Sequence, residues 1–254
     1  MTMTRIRKII LITIPVMILV GISGLFIFRK KQLNPVTGRT QAISLTPEQE
    51  VAVGIEYAPQ LAKDFGGLYR DRQAQEKIKH MGRKLIASSQ ASNTHYQFDF
   101  HILADSGSVN ILALPGGQIF ITQGLFKKLK TDDALAAVLS HEIGHVMGRH
   151  ASEKVFKTNF LQTIGGVDSV SGIHDATETI ARNLSNFKAL QYTDEDEMEA
   201  DDLSIPFMVK AGFDPNVFFD VFQITDHQSD FLVNHPVTTR RVEKMKKSIQ
   251  KFKQ

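Results

Sequence analysis

The 254-residue chain carries a formal net charge of +3, has 42% hydrophobic and 22% charged residues, and contains no cysteine. That composition belongs to a folded globular protein with a real core. The missing cysteine excludes disulfide scaffolds, thiolate metal sites and a cysteine nucleophile. The basic excess collects at the two chain ends without any nucleic-acid-binding motif, so no nucleic-acid partner is expected.

Residues 1–8 are a basic flank, and residues 9–28, IILITIPVMILVGISGLFIF, contain no charge. As a helix this run spans about 30 Å, the thickness of a bilayer core. It predicts a transmembrane anchor in the lipid bilayer, and no small-residue cleavage site follows it. Arg5, Arg7 and Lys8 precede the run and Arg29, Lys30 and Lys31 follow it, so charge bias does not orient it. Residues 29–43 read as a polar linker and 44–254 as one domain.

The domain reads as mostly helical with one short stretch of strands. Thr46, Pro47 and Gln49 predict a helix opened by a capping box. A second helix is predicted over about 70–88. The alternation of Tyr96, Phe98, Phe100 and Ile102 predicts a half-buried strand, and VNILALPGGQIFITQGL predicts two strands split at Pro115-Gly116-Gly117. Helix resumes over 131–150. The Gly-rich stretch 165–172 reads as a surface loop, with a lid as the alternative. At 211–215, Gly212 ends one helix and Asp214 and Pro215 start the next.

Chemistry begins at TDDALAAVLSHEIGHVMGRH, residues 131–150. Ala134 to Leu139 are apolar all round, so this helix is buried. His141 and His145, four apart, share one face and can both ligate one zinc ion, with Glu142 beside them as general base. A catalytic zinc usually takes a third protein ligand. The run YTDEDEMEADD, residues 192–202, supplies candidates. On a helical wheel centred on Ala200, the apolar arc holds Leu203, Phe207, Met208 and Ala211. Glu197 falls roughly 60° from its centre and Asp201 roughly 100°, whereas Glu195, Glu199 and Asp202 face solvent. Glu197 thus has the best phase for the third ligand; Asp194, at roughly 120° and at the fraying helix start, is not excluded by angle, and Asp201 is suited to brace a ligating histidine. Thr193 and Asp196 form a capping box, and Asp194, Glu195 and Asp196 favour the positive helix end. His101, His150 and His174 show no partner spacing and read as structural.

HEIGHVMGRHASEK, EMEADDLSIPFMVKAGFDP, NPVTGRTQ, NILALPGGQIFITQGL and HPVTTRRVEKM together resemble the membrane-associated gluzincin zinc metallopeptidases. That family includes HtpX, BepA and LoiP of bacterial envelopes, the CaaX prenyl-protein peptidases and the OMA-type mitochondrial peptidase. The likeness lies nearest the single-span LoiP/OMA-type branch. It implies an α+β gluzincin domain, mostly helical, with a small sheet whose edge strand borders the active site. It implies one Zn2+ per chain on His141, His145 and Glu197, Glu142 as general base, and Asp201 supporting a ligand. His235 and Arg241 match residues that line the active site in the family, so one of them is expected to stabilise the oxyanion, and His235 could instead cap the zinc in a latent state. By the resemblance Gly117, Gln118, Ile119 and Phe120 are expected in the edge strand, where an extended substrate pairs through its backbone, and the residues alone fit a core strand equally well. The implied function is a membrane-anchored endopeptidase acting on misfolded or damaged envelope proteins, with envelope assembly machinery as a further partner. The alternative is a chaperone-like or latent zinc-binding quality-control factor. The implied location is a single pass in the inner membrane with a periplasmic catalytic domain, or the mitochondrial inner membrane.

Overall fold

The structure, a computed structural model, describes residues 31–164, 191–224 and 230–252. The predicted anchor at 9–28, the stretch 165–172 and His174 lie outside them. Among the described residues no helix is long and apolar enough to cross a membrane.

Residues read as a polar linker instead form an antiparallel ribbon, β1 (Lys31–Leu33) with β2 (Thr40–Ala42). Polar side chains dock it: Asn34 Nδ2 donates to the Met147 carbonyl at 2.8 Å, and Gln41 Nε2 to the Gly148 carbonyl at 2.7 Å. Those carbonyls end a helix and lack intrahelical donors. The ribbon is therefore a helix cap supplied from a distant part of the chain.

α1 (Pro47–Asp64) opens at the Thr46/Gln49 capping box, and α2 (Arg72–Ala87) covers the second predicted helix. The next strand, β3, is Asp99–Leu103; Tyr96 and Phe98 are half-buried just before it. β4 (Ile111–Ala113) and β5 (Gln118–Thr122) flank the turn at Pro115–Gly117. The sheet order is β3-β5-β4, with β3 parallel to β5 and β4 antiparallel to it. β5 is thus the central strand, and the expectation that Gly117, Gln118, Ile119 and Phe120 belong to an edge strand is overturned. Alternation along a strand reports its two faces but not its two neighbours. Of the two outer strands, β4 is the one whose residues line the cavities at the histidines.

α3 (Gln123–Lys128) leads into α4 (Asp132–Gly148), capped by Thr131. Every residue of α4 from Ala134 to Gly148 is buried. A helix apolar all round must be enclosed, and β4, α2, α6 (Asp194–Lys210) and α7 (Phe218–Ile224) pack against it. α5 (His150–Ile164) follows α4 across a kink at Arg149, and α8 (Asp230–Asn234) and α9 (Thr239–Lys251) end the described chain. Arg241, Met245 and Ile249, at i, i+4 and i+8, form the buried face of α9. α4 and α6 meet at Gly144, where a Cβ would stand 2.6 Å from the Ala200 carbonyl oxygen. A bare backbone at Gly144 lets the acidic helix lie against the histidine helix.

Candidate metal centre

The i, i+4 spacing puts His141 and His145 on one face of α4, with their Nε2 atoms 2.9 Å apart. Glu197 reaches both from α6: Oε2 lies 3.3 Å from His141 Nε2, and Oε1 lies 3.3 Å from His145 Nε2. His235, just after α8, adds Nδ1 at 3.1 Å from Glu197 Oε1 and 3.3 Å from His141 Nε2. One ligand atom from each of these four buried residues lies within 4.8 Å of the others. Glu142 sits at the same cluster, with Oε1 3.3 Å from His235 Nε2.

The donor set fits a divalent cation. Neither oxygen of Glu142 nor Oε2 of Glu197 has a hydrogen-bond partner among the described residues. Buried carboxylate oxygens without donors are costly, and only one of two neutral imidazole nitrogens facing each other can donate. Two imidazoles and a carboxylate converging on one point are the ligand set of a zinc site. The sequence pattern of peptidase family M48 matches residues 72–249. The chain belongs to peptidase family M48. It carries the zinc metalloendopeptidase domain of that family.

M48 relatives include the β-barrel assembly-enhancing protease of Yersinia pestis, 26% identical over 230 residues, covering 84% of this chain and 46% of that protein. Mitochondrial metalloendopeptidase OMA1 of Schizosaccharomyces pombe is 25% identical over 237 residues, covering 89% and 69% respectively. OMA1 of Saccharomyces cerevisiae is 25% identical over 263 residues, covering 92% and 73%. The chain thus spans about half the length of the bacterial relative.

Around the M48 cluster, charges are held by specific partners. Asp201 Oδ1 lies 2.9 Å from His141 Nδ1, so the ring presents Nε2 to the cluster. Arg241 is fully buried, and its fork clasps Asp201 through Nε–Oδ2 at 2.6 Å and Nη2–Oδ1 at 2.9 Å. Its Nη1 is 2.6 Å from Glu197 Oε2, an ion pair whose angle is not that of a hydrogen bond, and it donates to the Pro236 carbonyl at 3.2 Å. Arg241, one of the two residues expected as oxyanion donor, directs its guanidinium at two carboxylates and at the His235 and Pro236 carbonyls. His235 likewise stands among the ligand atoms rather than as a free donor beside them.

Burial pushes the Glu142 carboxyl up from its usual range. Burial alone would do the same to Glu197 and Asp201, but Arg241 above all holds both below their ordinary values. Burial lowers His145 and keeps its ring neutral. It opposes charge on His141 too, yet Asp201 and Glu197 outweigh it and push that ring up to about 9.

Three residues near the site were misread or missed in the sequence. Glu199, expected in solvent, lies 2.8 Å from His150 Nε2 and 2.8 Å from Arg39 Nη1. His150, expected to be merely structural, touches His145. Tyr192 stacks on His145 with ring centroids 4.0 Å apart and lines the small cavities between β4 and the cluster. Tyr192 immediately precedes the N-cap of α6, and that position next to the acidic run was the available signal. Glu195, paired with Arg240 at the surface, is exposed as expected.

Proposed function

We propose that the chain is a membrane-anchored, zinc-dependent endopeptidase that hydrolyses peptide bonds of misfolded or damaged envelope proteins. The observation that carries this reading is the convergence of His141, His145 and Glu197 with Glu142 beside them. Zinc held by those three residues would supply a Lewis acid that polarises the scissile carbonyl and makes water a nucleophile at neutral pH. Glu142, a buried carboxylate with raised proton affinity, takes the proton from the attacking water and passes it to the leaving amine. Asp201 fixes the His141 ring, and Arg241 fixes Asp201 and Glu197. The substrate-pairing role expected for residues 117–120 passes to β4: the edge strand 111–113 borders the cavities that contain Glu142, His145 and Tyr192. Backbone pairing there reads the main chain, which suits unfolded segments of varied sequence. The charge-free run 9–28 supports the anchor. The inner-membrane location with a periplasmic domain rests on the family resemblance and the run 9–28, whereas contact with envelope assembly machinery and the mitochondrial alternative rest on the relatives' names.

A latent resting state is favoured by one observation: His235 contacts both Glu197 and Glu142. With its ring there, Nε2 stands 3.3 Å from Glu142 Oε1 and Nδ1 lies among the ligand atoms. In this reading the enzyme cleaves only after the segment after α8 moves, which joins the peptidase and quality-control readings. Casein cleavage by detergent-solubilised wild type and Glu142→Gln tests the proposal. Slow cleavage by wild type and none by the zinc-loaded variant is expected; equal cleavage by both would remove Glu142 from the reaction.

A further inference from the structure

His150 has no role in the chemistry described so far, yet it is buried to 1% exposure directly beneath a ligand histidine. Its Nδ1 lies 2.9 Å from His145 Nδ1, and its Nε2 lies 2.8 Å from Glu199 Oε2. Glu199 is itself clasped by Arg39, which also reaches Asp196 and Glu153 at 3.4 and 3.3 Å. From this geometry we infer that His150 and Glu199 form a positioning relay that fixes the tautomer and tilt of the zinc ligand His145. The inference rests on the zinc reading of His141, His145 and Glu197.

With His150 as a neutral imidazole, the protons along this chain have one consistent arrangement. A carboxylate only accepts, so His150 Nε2 carries a hydrogen and donates to Glu199. A neutral His150 then has a lone pair at Nδ1, which accepts from Nδ1–H of His145. That leaves the lone pair of His145 at Nε2, the atom facing Glu197 and His141. Glu199 thereby does for His145 what Asp201 does for His141: two carboxylates of one helix, two residues apart, each orient one histidine of the other helix. Histidine ligands are generally held in this way through their second nitrogen. Here the hold on His145 passes through an intervening imidazole.

The backbone is built for this contact. In a continuous helix His150 would be five residues beyond His145, turned well away from its ring. Arg149 instead adopts φ 57°, and it is the one non-glycine residue with positive φ among those described. That left-handed conformation is unfavourable for a residue with a side chain and persists where surroundings enforce it. They do: Arg149 Nε donates to Glu50 at 3.1 Å, Nη1 to Gln32 at 2.8 Å and Nη2 to the Leu45 carbonyl at 2.8 Å. The kink folds the His150 ring back over the end of α4. Gly148 makes room for it, since a Cβ there would stand 2.4 Å from His150 Nε2. The run Gly148-Arg149-His150 is thus one device with three parts: a gap, a turn and a ring.

The test measures zinc affinity by chelator competition on the full-length protein in detergent, together with the thermal stability of the metal-stripped form. His150→Ala is expected to weaken zinc binding by about 10–100-fold. His150→Asn, which keeps a polar atom near the Nδ1 position, should recover most of that loss, a rescue that a merely space-filling residue would not show. Glu199→Ala, at a half-buried position, should weaken binding in the same direction without removing the ring, and it tests the relay even where His150→Ala fails to fold. His145→Ala is the control: unchanged zinc affinity in that variant overturns the zinc reading itself. Loss in His145→Ala with wild-type affinity in both His150→Ala and Glu199→Ala overturns the relay alone.

Discussion

Replacing Gly144 with alanine asks whether the contact between α4 and α6 builds the site. At an ordinary helix position this change stabilises, because alanine exceeds glycine in helix propensity by about 1 kcal/mol. Here the new Cβ would stand 2.6, 3.0 and 3.1 Å from the carbonyl oxygen, Cα and carbonyl carbon of Ala200. All three are backbone atoms, so no side chain can swing aside, and the helices must separate. Overpacking of this kind costs about 1–3 kcal/mol; set against the propensity gain, it leaves a net loss of up to about 2 kcal/mol, a fall in Tm of about 4–8 °C for a domain of this size. Separation also carries Glu197 and Asp201, on either side of Ala200, away from the histidines. Thermal unfolding of the metal-stripped protein and zinc titration should therefore both worsen. A raised Tm with unchanged zinc affinity would refute the claim that this contact sets the ligand geometry.

Arg241→Ala leaves Asp201 and Glu197 buried without their cation, a loss of about 3–5 kcal/mol by chemical denaturation; Arg241→Lys should not restore it, because an ammonium cannot clasp both carboxylates. His235→Ala should raise casein cleavage if His235 holds the resting state, and a fall would return it to the role of a substrate-stabilising donor. Zinc entry must displace the proton that Asp201 and Glu197 hold on His141 up to about pH 9. The apparent affinity should therefore fall as pH drops below 9, by about tenfold per unit for one displaced proton, and a flat titration from pH 9 to 7 would contradict this.

What the sequence disclosed and what it hid follow from the range of the interactions. The approach of Glu197 and Asp201 to the histidines was legible because the face a helical side chain takes is a matter of phase, and the apolar arc of α6 gave that phase. The capping boxes at Thr46 and Thr193 were legible because their partners are three residues away. The centrality of β5 was not, since its second neighbour, β3, joins it in parallel across an intervening strand. Nor was the ribbon at 31–42, which is held by side-chain amides on distant helix carbonyls and shows no apolar period. Glu199 had the solvent phase on the wheel, but its solvent is replaced by Arg39 from that ribbon and by His150. His150 itself escaped because Arg149 leaves the helical conformation, and a wheel drawn through residue 149 points the ring the wrong way.

The central claim is that two histidines of one helix and one glutamate of another hold a zinc ion on which Glu142 acts without ligating it. Zinc content of purified wild type, Glu142→Gln and Glu197→Gln, each checked for folding, tests it most directly. The account predicts one zinc per chain in wild type and Glu142→Gln and almost none in Glu197→Gln. A full zinc complement in Glu197→Gln, or a wild type that binds none, would contradict it.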